Sequence, residues 1–276
     1  MSQRLEILDP TQPPPVWASL RNEAERAAKS EPALASLLNA VVISHENLGD
    51  ALSYQLARKL GDQELRAMSL RELATQAYRS DPGLVTIAEA DLRAVYERDP
   101  ACKGYVQPFL FFKGFQALQT QRVAHWLWNQ GRETIAFYLQ SRVSEVFQVD
   151  IHPATRIGSG VFVDHGTGIV IGETAVIGND VSLLQGVTLG GTGADRGDRH
   201  PKIGNGVLLG AGAKVLGNIN IGDYAKIASG SVVLKDVPAH CTAAGVPAKL
   251  INCPSCDEPA RKMDHTLAEA FTESGI

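Results

Sequence analysis

Three short stretches pair an acid or a base with a histidine: Asp150 with His152, Asp164 with His165, and Arg199 with His200. A histidine of ordinary pKa, about 6.5, exchanges protons near neutrality, and an acidic partner orients its ring and stabilises the imidazolium. An arginine adds a planar fork that matches a carboxylate. These types suit general acid–base chemistry, with His165 as the sharpest candidate for the base. Neighbouring residues in extended chain point to opposite sides, so Asp150 is the better expected orienter of His165 than Asp164. On spacing alone, a histidine used in packing and a solvated loop arginine stay open as alternatives.

These pairs fall where a six-residue beat begins or breaks. From Ile151 the sequence divides into IHPATR, IGSGVF, an enlarged VDHGTGIV, IGETAV, IGNDVS and LLQGVT, and resumes at Ile203 with IGNGVL, LGAGAK, VLGNIN, IGDYAK, IASGSV and VLKDVP. The first position is always Ile, Leu or Val, and the fifth is mostly small or β-branched. A fixed short repeat of this kind signals a parallel β-helix whose first positions point inward and stack coil upon coil. Between Val163 and Ile171 two residues are added, and "LGGTGADRGDRHPK" interrupts the array after Leu189. A solenoid accommodates insertions as outward loops, and loops on a rigid scaffold are where chemistry tends to lie. The enlarged repeat is expected to lift His165 out of the stack.

Residues 16–149 read differently. Apolar residues recur at three- and four-residue spacing, Pro32 and Pro82 fall at first-turn positions, and Gly131 separates two helical stretches. A bundle of packed helices is expected here, after a flexible lead-in over residues 1–15 that ends in "PPP". The repeat domain spans 150–251, and a polar, mobile tail is expected over 252–276. With 44% hydrophobic residues the chain can build a sizeable core. A net charge of −4 with no basic stripe speaks against a nucleic-acid binder. No apolar run approaches the roughly 20 residues of a membrane span, and the N-terminus carries no signal pattern. A cytoplasmic protein is expected. The four cysteines outline no disulfide framework for a chain of this length, and a reduced compartment suits them.

The motifs "HENLGDALSYQLARKL", "ERDPA", "KGFQALQTQRVAHWLWNQGR", "FQVDIHPATRIGSGVFVDHGTGIVIGETAVIGNDV", "LQGVTLGGTG", "GDRHPKIGNGVLLGAGAKVLGNI" and "AAGVPAKL" resemble serine O-acetyltransferases over nearly the whole chain beyond residue 15. The repeats alone would indicate only the broad hexapeptide acyltransferase class. The resemblance implies an α + β chain in which the helical domain precedes a left-handed parallel β-helix. It further implies a trimer, usually paired into a dimer of trimers, and acetyl transfer from acetyl-CoA to the hydroxyl of L-serine, the first step of cysteine biosynthesis. L-Cysteine is the implied feedback inhibitor. No permanently bound cofactor or metal is implied. By resemblance His165 is the general base with Asp150 as its partner, and Asp99, Asp164, Arg199 and His200 hold the amino acid. Gly191, Thr192, Ala211, Lys226 and Ser229 line the CoA groove. The C-terminal Gly275 and Ile276 are implied to enter the active site of O-acetylserine sulfhydrylase.

Two other acyl-transfer or lyase readings share the repeat. A sugar or nucleotide-sugar acyltransferase would keep His165 but lack the helical half. A zinc lyase of the γ-carbonic anhydrase kind would recruit His152, His165 and His200. A purely structural module leaves the acid–base residues at both breaks unexplained. In the tail, "CPSC" offers Cys253 and Cys256, read as loose thiols; on paper Cys241 and His265 would complete a Cys₃His set.

Overall fold

The computed structural model describes residues 15–193, 196–254 and 256–267. The helical half holds α1 (Val16–Ser30), α2 (Ala35–Leu38), α3 (Leu48–Leu60), α4 (Ala67–Ser80), α5 (Gly83–Arg98), α6 (Val106–Phe111), α7 (Lys113–Asn129) and α8 (Glu133–Phe147). Pro32 opens a 3₁₀ turn rather than a long helix, and a π-turn over Asn39–Ile43 ends that stretch. Asn47 then caps α3, its side-chain oxygen accepting from the Asp50 amide at 2.9 Å. Glycine marks a close approach at one point. Gly114, at the start of α7, faces the Val163 carbonyl oxygen so closely that any added methyl would strike it.

Beyond α8 the chain winds as a three-faced parallel β-helix. The first face stacks β1 (Val149–Ile151), β4 (Ile169–Ile171), β7 (Thr188–Gly190), β10 (Lys214–Leu216) and β13 (Val232–Val233). The second stacks β2 (Arg156–Ile157), β5 (Val176–Ile177), β8 (Lys202–Ile203) and β11 (Asn220–Ile221). The third stacks β3 (Phe162–Val163), β6 (Ser182–Leu183), β9 (Leu208–Leu209), β12 (Lys226–Ile227) and β14 (Thr242–Gly245), closed by the antiparallel β15 (Ala248–Asn252). The first-position aliphatics form one inward column per face. Ile151, Ile171, Leu189, Val215 and Val233 are in register on the first, and Val163, Leu183, Leu209 and Ile227 on the third. Fifth-position Val161, Ala175, Val181, Val187, Val207, Ala213 and Ala225 are buried and fill the corners between faces.

The helices and the solenoid share a polar clamp. Asp91 on α5 is fully buried and accepts from Arg122 of α7 through Nε (2.9 Å) and Nη2 (3.1 Å). Gln119 donates to the same carboxylate at 2.8 Å, and so does the Val161 amide of the first coil at 2.9 Å. Arg122 donates on to the carbonyls of Ile157 and Gly158. Burial pushes the Asp91 carboxyl up, and Arg122 with the other donors opposes that shift. One turn pair further along α5, Arg98 donates to the Asp180 carboxylate at 3.0 Å and to Ser182 Oγ at 3.2 Å in the second coil.

The C-terminal stretch departs from two expectations. Strand β15 returns antiparallel onto β14, with Asn252 opposite Thr242, and so brings Cys253 beside Cys241. The two are disulfide-bonded, with Cα atoms 4.5 Å apart, so Cys253 is not a loose thiol and the cysteines are not all reduced. Cys102 and Cys256 are the free cysteines among the described residues. The stretch expected to be a mobile tail also packs in part. A short helix α9 (Pro259–Lys262) lies against α5 and β9, and Ser182 Oγ donates to the Ala260 carbonyl at 2.9 Å. Gly275 and Ile276 lie outside the described residues.

Because the clamp is buried, removing one partner strands the other. Arg122→Met is expected to destabilise the protein by about 3–5 kcal/mol, while Asp91→Leu combined with Arg122→Met costs clearly less. Urea unfolding at fixed protein concentration checks this. A double variant as unstable as the single one contradicts the clamp.

Candidate functional site

The two register breaks fall at opposite edges of the first face. The enlarged repeat forms the corner between β3 and β4. Asp164 keeps the coil's hydrogen bond, its amide donating to the Leu183 carbonyl at 2.8 Å. His165 then adopts a left-handed backbone, φ 57°, rare for a residue with a Cβ. This turn swings the imidazole out of the stack, where its side chain is 72% exposed. It also overturns the expectation that Asp164 points away: its Oδ1 lies 3.8 Å from His165 Nε2. Alternation holds only while the chain stays extended.

His165, Asp164 and Asp99 line one cleft of about 540 Å³ with Phe111, Phe112 and Lys113. Asp99 is delivered there as the residue that ends α5, its Oδ1 accepting from the Ala101 amide at 2.8 Å. Burial pushes the Asp164 carboxyl up; His165 pulls it down and Asp99 pushes it further up. The cleft therefore holds two carboxyl groups, an exposed imidazole and an aromatic wall.

The second group gathers at the corner between the first and second faces. Arg199 Nη2 donates to Glu173 Oε2 at 2.7 Å, which holds the Glu173 carboxyl below its usual range. His200 is buried. Its Nδ1 accepts from the Thr174 amide at 3.2 Å, so in the neutral ring Nε2 carries the proton. That Nε2 lies against the backbone of Gly172, where a Cβ would collide with the ring. His152 packs edge-on against Trp128 and Phe137, ring centroids 5.2 and 5.3 Å away. Burial lowers the pKa of both His152 and His200.

Asp150 lies on β1, between the two edges, and does not reach His165 of the same chain. Its Oδ1 accepts from Gln140 Nε2 at 2.7 Å, while the carboxylate within 4.0 Å of His165 is Asp164. The strands of the first face are two or three residues long, which sets its edges roughly 10 Å apart. The expected CoA residues divide the same way. Ala211 and Ser229 follow the His165 corner down the solenoid, and Gly191 and Thr192 follow the Arg199 corner. Lys226 differs: it is 5% exposed on the third face, and its ammonium donates to Thr266 O at 2.9 Å and pairs with Asp264 at 3.3 Å. It anchors the C-terminal stretch rather than facing an open groove.

Sequence reading passed over Gln140, Glu173 and Thr174. The last two are ordinary corner positions of the repeat IGETAV, and nothing in their spacing separates them from solvated turns. Among the described residues no three His, Cys, Asp or Glu side chains converge as a metal-ligand set, so His152, His165 and His200 do not meet. Cys241 is bonded to Cys253 and not part of a Cys₃His group.

Comparison with known proteins decides among the readings of the repeat. Residues 16–120 match the family model described as "Serine acetyltransferase, N-terminal", and residues 200–235 match "Bacterial transferase hexapeptide (six repeats)". The serine acetyltransferase of Escherichia coli (strain K12) is 56% identical over 249 residues, 90% of this chain and 91% of that protein. The chain belongs to the serine acetyltransferase family. A solved serine acetyltransferase in complex with cysteine is 52% identical with a TM-score of 0.90, covering 91% of this chain and 98% of that one. The soybean serine acetyltransferase complexed with serine is 56% identical with a TM-score of 0.84, covering 86% and 97%. A serine acetyltransferase in complex with CoA is 54% identical with a TM-score of 0.82, covering 86% and 98%. The helical half, absent from the expected sugar-acyltransferase pattern, is the part that carries the family-specific match.

The lowered histidines give a pH signature. Above about 6.5 both the folded and unfolded states hold them neutral; below it the unfolded chain takes up protons more readily. Stability is therefore lost as the pH falls from 7.5 towards 5.5, with His45, lowered by burial, adding to His152 and His200. His200→Asn should make that fall in melting temperature shallower. An unchanged slope contradicts the buried neutral state of His200.

Proposed function

We propose that the protein transfers the acetyl group of acetyl-CoA to the hydroxyl of L-serine, giving O-acetyl-L-serine and CoA, the step that opens cysteine biosynthesis. One observation carries the reading: His165, swung out by its left-handed backbone, borders a cleft with Asp99 and Asp164. The family's complexes with serine, cysteine and CoA supply the ligands.

The chemistry follows from the two groups of residues. The ammonium of serine docks between Asp99 and Asp164, where an incoming cation pulls the raised Asp164 carboxyl back down. Its carboxylate meets the fork of Arg199, with the Nε2–H of His200 beside it. Held in this way the amine stays protonated and acylation falls on oxygen. His165 takes the hydroxyl proton as the oxygen attacks the thioester carbonyl. The tetrahedral intermediate collapses by breaking the C–S bond, and the proton passes from the imidazolium to the departing sulfur. Acetyl-CoA is a co-substrate in this scheme. Gly191, Thr192, Ala211 and Ser229 line its groove. L-Cysteine competes for the serine position because it offers the same ammonium and carboxylate.

The two groups stand at opposite edges of one face, so a single chain does not close the site. We assign the assembled site to a homotrimer in which the His165 corner of one copy meets the Arg199 corner and Asp150 of the next. Pairing of trimers through the helical domains and capture of Gly275 and Ile276 by O-acetylserine sulfhydrylase belong to the same proposal. Among the described residues no helix is long and apolar enough to cross a membrane.

An acetyl-CoA consumption assay led by L-serine in a panel of acceptors tests the activity. His165→Ala should lower turnover roughly 10²- to 10⁴-fold, the usual worth of general-base catalysis, with acetyl-CoA affinity nearly unchanged. Near-normal turnover in the folded variant removes His165 from the role.

A further inference from the structure

We propose that Gln140 is a positioning residue for acetyl transfer, acting through Asp150; this role rests on the reading of Asp150 as the partner of the base. Asp150 lies at the outward position of β1, between inward-facing Val149 and Ile151, both buried. Its column on the first face continues through Val170, Thr188 and Lys214, with Val170 42% exposed. A carboxylate on such an open face keeps its rotamer freedom unless something holds it. The hydrogen bond that does so comes from Gln140 Nε2 to Asp150 Oδ1, at 2.7 Å.

The identity of the donor is fixed by chemistry. A carboxylate only accepts, so the amide turns its NH₂ towards Asp150. A bond of this length to a charged acceptor is the strong kind, and it occupies one oxygen. The other oxygen has no side-chain donor among the described residues and is left for an imidazole brought by a neighbouring copy.

The support for Gln140 is itself rigid. Leu139, Val143 and Phe147 bury one stripe of α8 against the molecule. Gln148, in a left-handed conformation with φ 58°, turns the chain from α8 directly into β1. Helix α8 and β1 therefore pack as one corner, and Gln140 reaches Asp150 across ten residues of chain without leaving it. The serine oxygen must be met by a base held within a fraction of an ångström, and small misplacements of such groups cost roughly 10²-fold in rate. Gln140 is thus a link by which the helical domain sets the orientation of a group in the solenoid.

A double-mutant cycle on the full-length protein tests this. Gln140→Met keeps the length of the side chain and removes its amide. It should lower kcat on L-serine roughly tenfold, with KM for serine and for acetyl-CoA within about twofold of the parent. Gln140→Asn, which withdraws the amide by one methylene, carries the same expectation should the Met variant not fold. Asp150→Asn should lower kcat further, and adding Gln140→Met to it should change nothing more, because the carboxylate that Gln140 positions is already lost. An equal tenfold fall on the Asp150→Asn background means Gln140 acts elsewhere and overturns the proposal. Lowered kcat in Asp150→Asn with parental kcat in Gln140→Met removes Gln140 alone. Parental kcat in Asp150→Asn removes the reading of Asp150 and this role with it.

Discussion

The buried ion pair of Asp91 and Arg122 is the constraint on which the rest of the molecule depends. It takes two charges out of water where α5, α7 and the first coil meet, and every strong donor around it comes from one of those three elements. Such a pair contributes little net stability against an apolar replacement, but it penalises any arrangement that leaves one charge alone. It therefore fixes how the helices lie on the solenoid. Arg98, seven residues further on α5, faces the same side and is held by the second coil. The next residue is Asp99, which arrives at the cleft of His165 because the helix has nowhere else to end.

The solenoid supplies the opposite property, monotony. Its inward columns make each coil a copy of the last, so any side chain that must leave the pattern has to do so at a corner. Both register breaks occur at corners of the same face, one at each edge. The strands between them are only two or three residues long, and they hold the two edges apart. On the proposed reading, a catalytic cleft forms where one copy's edge is set against another's. At one of these edges His200 is buried, with its pKa lowered by that burial, and Arg199 is held by Glu173.

Much of this was legible in the residues. The aliphatic first position identified the β-helix, and the two added residues after Val163 located His165 outside the stack. The direction of the ring was not legible, because a left-handed backbone at a non-glycine residue leaves no mark in the spacing, and so Asp164 was expected to face away. Asp91 was passed over, although it left a mark. It shares the apolar stripe of α5 with Ala88, Leu92 and Val95, and a carboxylate there calls for a buried partner. That partner, Arg122, is 31 residues away, and pairing at that distance needs the tertiary fold. The Cys241–Cys253 bond was missed for a similar reason. Only the return of β15 onto β14 brings the two together, and cysteine connectivity does not follow from sequence alone.

The central claim is that one active site is divided between two copies of the chain. Co-expression of His165→Ala with Arg199→Ala, followed by isolation of the mixed oligomer, tests it most directly. Each variant alone should be nearly inactive on L-serine. If the corners of different copies meet, each mixed trimer restores about a third of the parental activity, because one of its three interfaces unites an intact His165 with an intact Arg199. Mixed oligomers no more active than either variant alone would contradict the account and return both residues to a single chain.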